Sequence, residues 1–315
     1  MGKRFLKPRT SNLKLRTSNL KLQTSMMDSS QKVKAEQFKK LHHGSEILVL
    51  PNIWDQLGAL LLESLEYPAV ATASASVAWT HGYTDGEHVP FNEVLTRLKN
   101  IAGSVNLPVT ADVESGYAST DIELEKNVAK LISTGIVGIN FEDHDKKTDS
   151  LFSLEVQCGR IKVIRKMAEA MNVPLFINAR TDVYLRGKGF NTPEEKLNET
   201  LRRGKAYVDA GADGLFPPAM KDKDELAKLV SALSCPVNVI AMPGIPDFRT
   251  LKQIGVRRVS LGPGFLKIAI KAMKQLALKL KNYEGLDEVI NNEVSSDDLK
   301  KLVGKLPESS KLSRS

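Results

Sequence analysis

Acidic residues are missing from the first 25 positions of this 315-residue chain, and cysteine is scarce throughout. Seven lysines and arginines in residues 1–25 supply most of the net charge of +8; without them the remainder stands at +1. A nearly neutral body gives no case for a nucleic-acid partner. The two cysteines, Cys158 and Cys235, make neither a disulfide framework nor a metal-ligand spacing. That points to a reducing compartment, read here as the cytoplasm. No apolar run approaches the roughly 20 residues that span a bilayer, so no membrane partner is expected. No G-x-G-x-x-G follows the first apolar run, which removes the dinucleotide-binding fingerprint.

The basic start contains a seven-residue repeat, Arg-Thr-Ser-Asn-Leu-Lys-Leu, at Arg9–Leu15 and again at Arg16–Leu22. It has too little apolar surface to pack and reads as disordered. The reading is a non-functional extension, residues 1–27, ahead of a start at Met26 or Met27. A transit peptide, and with it a mitochondrial location, is the alternative. Residues 28–280 then read as one catalytic domain, and residues 281–315 as a C-terminal helix and polar tail.

A helical pattern over Lys32–His43 is followed by a regular rhythm. Apolar runs occur at Ile47–Ile53, Ala69–Ala73, Leu107–Ala111, Ile136–Phe141, Leu175–Ala179, Gly214–Phe216, Val237–Ala241 and Val259–Leu261. Between most of them lie segments with helical periodicity, among them Phe91–Val105, Leu124–Ser133, Ile161–Met171 and Pro193–Ala210. Strands alternating with helices in this number predict a (β/α)8 TIM barrel, with extra C-terminal helices from Phe265 onward. A doubly wound open sheet is the other arrangement such alternation permits.

Polar residues stand where the strands end. Asp112 and Glu114 are spaced i, i+2, which puts both on one face of an extended chain. Glu142-Asp143 closes the next apolar run. Clustered acids at neighbouring strand ends suit a hard divalent cation held by oxygen, most simply Mg²⁺. The alternative is that Asp112 and Glu114 merely cap the following helix. Convergence of all strand ends on one mouth favours ligands over caps.

Five ordered motifs carry a family resemblance: Leu50-Pro51-Asn52-Ile53-Trp54-Asp55, Gly82-Tyr83-Thr84-Asp85-Gly86-Glu87, Ala111-Asp112-Val113-Glu114-Ser115-Gly116-Tyr117, Asn140-Phe141-Glu142-Asp143 and Asn178-Ala179-Arg180-Thr181-Asp182. From about Phe38 to Leu276 the chain resembles the isocitrate lyase/phosphoenolpyruvate mutase superfamily. That resemblance implies a barrel binding Mg²⁺ (or Mn²⁺) and a small α-keto or 2-hydroxy acid. It implies Asp112 as the direct metal ligand, with Asp85, Glu114 and Glu142 acting largely through ordered waters. Asp85 also borders the substrate. Arg180 would clamp a substrate carboxylate or phosphonate. Thr72, with the N–H groups around Ala73 and Ser74, would cradle the α-keto carboxylate. The implied chemistry breaks a C–C or P–C bond through a pyruvate enolate, in a homo-oligomer (dimer or tetramer).

The resemblance also implies a lid over His144–Glu155. The isocitrate and methylisocitrate lyases carry a Cys-Gly-His run there, and this chain has none. Cys158 comes too late and reads as a buried or helix-start thiol. Lys147-Thr148-Asp149-Ser150-Leu151 is similar to the mutase lid, with Asp149 where those enzymes have Asn; an acid there is expected to repel a phosphoryl group. His144 is the candidate proton carrier, whereas His42 and His43 read as surface residues. The readings in competition are a Mg²⁺-dependent lyase or phosphonomutase-type enzyme, an oxaloacetate-type decarboxylase, and a catalytically silent carboxylate-binding barrel.

Overall fold

A computed structural model describes residues 30–304. The expected basic extension lies outside the described residues. A helix over residues 30–41 (α1) precedes the first strand. The strands are β1 (Leu48–Leu50, resumed after Pro51 as Asn52–Ile53), β2 (Val70–Thr72), β3 (Val109–Asp112), β4 (Gly138–Glu142), β5 (Phe176–Arg180), β6 (Gly214–Phe216), β7 (Asn238–Ile240) and β8 (Arg258–Ser260). The helices between them are α2 (Gln56–Ser64), α3 (Ser74–Thr80), α4 (Phe91–Ser104), α5 (Asp121–Ile132), α6 (Leu154–Ala170), α7 (Val183–Arg186), α8 (Pro193–Asp209), α9 (Lys223–Ala232) and α10 (Phe248–Ile254). After β8 come α11 (Gly264–Lys281), α12 (Leu286–Ile290) and α13 (Ser296–Gly304).

Every pairing between the barrel strands is parallel, and each strand pairs with the next. Between β6 and β7 the contact narrows to one bridge, Leu215 with Val237. The ring returns to its start where Leu48 pairs with Arg258. Pro51 explains why β1 is split: it has no N–H to give a ladder. The first half of β1 pairs with β8 and the second with β2. Asn52 stitches that seam. Its Nδ2 donates to Thr72 O at 2.7 Å, and its Oδ1 accepts from Leu261 N and Gly262 N, both at 2.9 Å. The open-sheet alternative is thereby removed.

The lower end of the barrel is closed by α1. Phe38 is fully buried there, and Gly138 faces it because a Cβ would lie 2.8 Å from its ring. His42 corrects an expectation: it is buried, stacked on Phe176 with ring centroids 3.9 Å apart. Its Nδ1 bonds Phe38 O at 2.8 Å. Burial, then the nearby Arg258, push its imidazole down to about 3.

Helix starts carry the expected chemistry. Thr192 and Glu195 form a capping box at α8 with Pro193 in the first turn. The helix after β3 is capped by Thr120, which accepts from Glu123 N at 3.2 Å. Asp112 and Glu114 are therefore not its caps. α6 begins at Leu154, well before the expected Ile161, because its first turns bury polar residues that break the apolar rhythm. Gln157 Nε2 donates to Glu142 O, and Arg160 donates to the carbonyls of Ser115 and Ala118. Cys158 lies within this helix and donates to Ala206 O at 3.5 Å; burial pushes its thiol up. α11 runs unbroken across residue 280, where a boundary was expected. Only Leu266 of it is buried, while α13 packs on α2.

Candidate active site

Four strand ends build the mouth. β2 ends at Thr72 and passes through Ala73 directly into α3, a helix not read from the sequence. β3 ends at Asp112, β4 at Glu142 and β5 at Arg180. The parallel register sets Asp112 beside Asn140 and Glu142 beside Arg180. The backbone thus fixes the site before any side chain is chosen.

Asp112 is half-buried at the end of β3, with one carboxylate oxygen shut away from solvent. Its Oδ2 accepts from Ser74 N at 3.3 Å and Ser74 Oγ at 3.0 Å, and its N–H donates to Thr72 Oγ1 at 3.2 Å. The cradle expected at Thr72, Ala73 and Ser74 therefore holds a carboxylate, but it is the protein's own. Asp112 Oδ1 is buried with no hydrogen-bond partner. Burial pushes its carboxyl up, Arg180 pulls it down, and Glu142 and Asp85 push it up again. Asp85 sits on the exposed rim, close enough to weigh on both Asp112 and Glu114.

Glu114 and Glu142 share one ammonium. Lys146 Nζ lies 2.9 Å from Glu114 Oε2 and 2.6 Å from Glu142 Oε1. Burial pushes the Glu114 carboxyl up to about 8, against the pull of Lys146. Burial also works to raise Glu142, but Arg180, a His144 contact and Lys146 overcome it and hold Glu142 below the usual carboxylate range. Arg180 NH1 is 2.8 Å from Glu142 Oε2. The Asp182 carboxylate takes Arg180 Nε at 2.6 Å and NH2 at 2.9 Å. A guanidinium has five N–H donors; this bidentate grip takes two and Glu142 a third, which leaves two for a ligand.

The other half of the Glu142-Asp143 pair faces away, as successive strand residues must. Asp143 is buried in the wall. It accepts from Thr181 Oγ1 at 2.7 Å, Asp182 N at 2.9 Å, Tyr207 Oη at 2.7 Å and Arg203 NH1 at 3.0 Å. It holds the end of β5, and with it Arg180, in place.

The lid is a small hairpin rather than a loop. His144–Asp145 pairs antiparallel with Ser150–Leu151. His144 is buried; its Nε2 meets Asp149 Oδ1 at 3.1 Å, and its Nδ1 lies 3.8 Å from Glu142 Oε1 with no hydrogen-bond partner. Asp149 is turned outward, where Arg186 NH1 at 3.1 Å and Lys188 Nζ at 3.0 Å neutralise it. The expected repulsion of a substrate anion therefore does not arise from this residue. His81 and His88 bond other groups and touch none of the four carboxylates.

Two residues at the centre were missed. Lys146 lies in the expected lid, four residues after Glu142, and reaches both Glu114 and Glu142. Glu87 closes a quoted motif but received no role. Its Oε1 accepts from Ser115 N, Ser115 Oγ and Tyr117 N, and its N–H donates to Glu114 Oε1.

Among the described residues, no three His, Cys, Asp or Glu side chains converge as a ready-made metal cage. The donor chemistry still fits Mg²⁺, which keeps several waters and takes only one or two carboxylates directly. The buried, unpartnered Oδ1 of Asp112 is the oxygen such an ion would satisfy.

A family description, phosphoenolpyruvate phosphomutase, matches residues 38–281. An uncharacterized protein of Mycobacterium tuberculosis (strain ATCC 25618 / H37Rv) is 35% identical over 230 residues, 71% of this chain and 81% of its own length. The 2-methylisocitrate lyase of Halalkalibacterium halodurans is 26% identical over 270 residues, 82% of this chain and 85% of the lyase. Among solved structures, phosphonopyruvate hydrolase complexed with oxalate and Mg²⁺ shares the fold, with a TM-score of 0.76 at 20% identity over 89% of this chain and 98% of the hydrolase. With its barrel, its ordered strand-end acids and a match over most of its length, the chain belongs to the phosphoenolpyruvate phosphomutase family, within the isocitrate lyase/PEP mutase superfamily of lyases and mutases.

Proposed function

We propose that this protein is a Mg²⁺-dependent carbon–carbon lyase or phosphonomutase-type enzyme. Its substrate is a small α-keto or 2-hydroxy acid, cleaved by way of a pyruvate enolate. One observation carries the reading: Asp112 Oδ1 is buried and unpartnered at a mouth shared by four carboxylates and Arg180. Asp112 would hold the ion directly, with Asp85, Glu114 and Glu142 around it through waters. The ion, Mg²⁺ or in its place Mn²⁺, supplies stabilisation of negative charge developing on the substrate's oxygens.

The chain's own groups do the rest. The two free N–H donors of Arg180 bind a substrate carboxylate, and Asp182 keeps the guanidinium plane fixed. The Ser74 N–H and hydroxyl, which here donate to Asp112 Oδ2, are the donors that would bind a second carboxylate oxygen of the substrate. The hairpin closes over the mouth and excludes water. Asp149 accepts the Nε2 proton of His144, which leaves the Nδ1 lone pair facing the site. In a C–C cleavage that atom takes the proton of the substrate hydroxyl while the C–C electrons pass to the enolate. It then returns a proton to the enolate carbon.

Two further points belong to this proposal. The enzyme is a homo-oligomer, because Ile268, Ile270, Met273 and Leu278 of α11 stand exposed on one chain. A second copy is the partner that such exposed apolar surface fits, and sedimentation of the purified protein tests it. The location is cytoplasmic, supported by the two unpaired thiols.

The functional test is a thermal-shift series with and without Mg²⁺, using oxalate, oxaloacetate, pyruvate, phosphonopyruvate, methylisocitrate and dimethylmalate. A ligand that binds only the folded state raises the melting temperature by mass action. A Mg²⁺-dependent rise with oxalate, an enolate mimic, is expected; the largest other rise selects the substrate. A response confined to oxaloacetate, with CO₂ release, would select the decarboxylase. No response to any acid would leave a silent barrel.

A further inference from the structure

The loop after β3 has an unusual backbone. Glu114 (φ 51°), Gly116 (φ 88°) and Tyr117 (φ 54°) all lie in the left-handed region. Such turns aim successive N–H groups to one side and form a concave anion site, a nest. Here the nest is filled from inside the protein. Glu87 Oε1 accepts from Ser115 N at 2.9 Å, Ser115 Oγ at 2.8 Å and Tyr117 N at 3.0 Å. Glu87 is itself left-handed, at φ 63°, and comes from the separate loop between α3 and α4.

The contact is reciprocal. The Glu87 N–H donates to Glu114 Oε1 at 2.9 Å. That bond occupies one oxygen of Glu114 and leaves Oε2 for the cation position, where Lys146 Nζ sits at 2.9 Å. The loop is gripped from its other side as well. Arg160 holds the carbonyls of Ser115 and Ala118, and Asn127 Nδ2 holds those of Gly116 and Tyr117. Gly116 leaves no slack, since a Cβ there would meet Leu124 Cδ1 at 2.7 Å.

We infer that Glu87 is a positioning residue of the cation site, its carboxylate filling the nest of residues 115–117 while its own N–H turns Glu114 Oε2 toward the ion. The inference rests on the Mg²⁺-dependent reading above. It gives Glu87 no contact with the ion or the substrate; it acts through Glu114.

The test uses the whole protein, with Mg²⁺ titrated calorimetrically in the presence of oxalate. Backbone amide exchange over residues 113–118 is followed without ligand. Removing a partner that orients a ligand costs roughly 10- to 100-fold in metal affinity, so Glu87→Ala should weaken Mg²⁺ by at least about tenfold and speed exchange at Ser115 and Tyr117. Glu87→Gln keeps an acceptor oxygen and the N–H, and should stay within about threefold of wild type by the same comparison. If Glu87→Gln is as weak as Glu87→Ala, the effect is lost charge and the positioning role is overturned. Unchanged Mg²⁺ affinity in Glu87→Ala overturns it too. Should Glu87→Ala not fold, Ser115→Ala removes one of the three donors and should give a smaller weakening with faster exchange at Tyr117; wild-type behaviour there is the overturning result. If wild type itself binds no Mg²⁺, the functional reading fails, and the exchange data alone still decide whether Glu87 holds the loop.

Discussion

The strand ends and the lid face each other across one mouth and are built in opposite ways. The strand ends are acidic, buried and set by a parallel ladder that fixes Asp112, Glu142 and Arg180 by register. The lid is a hairpin of two-residue arms, held down by side-chain charge. Lys146 points inward to Glu114 and Glu142, while Asp149 points outward to Arg186 and Lys188. The floor takes its geometry from backbone pairing, whereas the lid is tied down by ion pairs on both of its sides and by the Phe152 N–H on Asp143 O.

The sharpest break in this comparison is Asp112→Ala. It should abolish Mg²⁺-dependent binding of oxalate and any turnover, while the ligand-free melting temperature is unchanged or raised. A buried carboxylate with an unpartnered oxygen costs stability rather than supplying it. Melting curves with and without Mg²⁺ and oxalate check both halves; a Mg²⁺ response equal to wild type would sink the floor's assigned role.

Lys146→Met comes next. With the ammonium gone, Glu114 Oε2 and Glu142 Oε1 lose a cation that competes for them. Mg²⁺ should then bind several-fold more tightly, while turnover falls because the lid has lost its inward contact. Calorimetry and initial rates separate the two effects. Weaker Mg²⁺ binding in this variant would mean the lysine assists the ion instead of competing with it.

Asp149→Ala tests the outward side of the lid. Exposed ion pairs contribute about 0.2–1 kcal/mol each, so losing those to Arg186 and Lys188 should raise KM only a few-fold and speed amide exchange over residues 145–151. If His144 is oriented by Asp149, kcat falls as well; a change in KM alone would confine Asp149 to latching.

The last test lies far from the mouth. Burial holds His42 neutral, at about 3. The unfolded chain therefore binds a proton that the folded chain refuses, between the ordinary value near 6.5 and about 3. Stability from this site is complete above the ordinary value and is lost as pH falls through that window. Melting temperatures of wild type should drop between pH 7 and pH 4 by more than those of His42→Phe, whose ring keeps the stack on Phe176. Parallel drops would show that acid acts elsewhere, on the mouth for example.

Much of the floor was legible beforehand. Gly214–Phe216 is read to the residue, and the other seven strands fall within the apolar runs or a residue or two beyond them. Asp85, Asp112, Glu114, Glu142 and Arg180 do gather at one mouth. What escaped reading has a common cause. α3 is seven residues long with no side-chain cap, and α7 is a single turn, so neither has a period to detect. The lid hairpin has arms too short for alternation. His42 looked like a surface histidine because nothing local announces a stack on a residue far away in sequence.

The sequence by itself determined the alternation of strands and helices and the acids at the strand ends. Apolar runs recur at the spacing of that alternation; strand pairing then closed the ring and turned Glu142 to the mouth and Asp143 into the wall. Tertiary structure alone decided the pairings. Glu87 reaches Ser115 and Tyr117 across 28 and 30 residues, and Lys146 reaches Glu114 across 32. Such contacts depend on where two loops cross and on how far each carboxylate is shielded from water. Neither distance nor shielding is a property of any local stretch of chain, so both exist only once the barrel has closed.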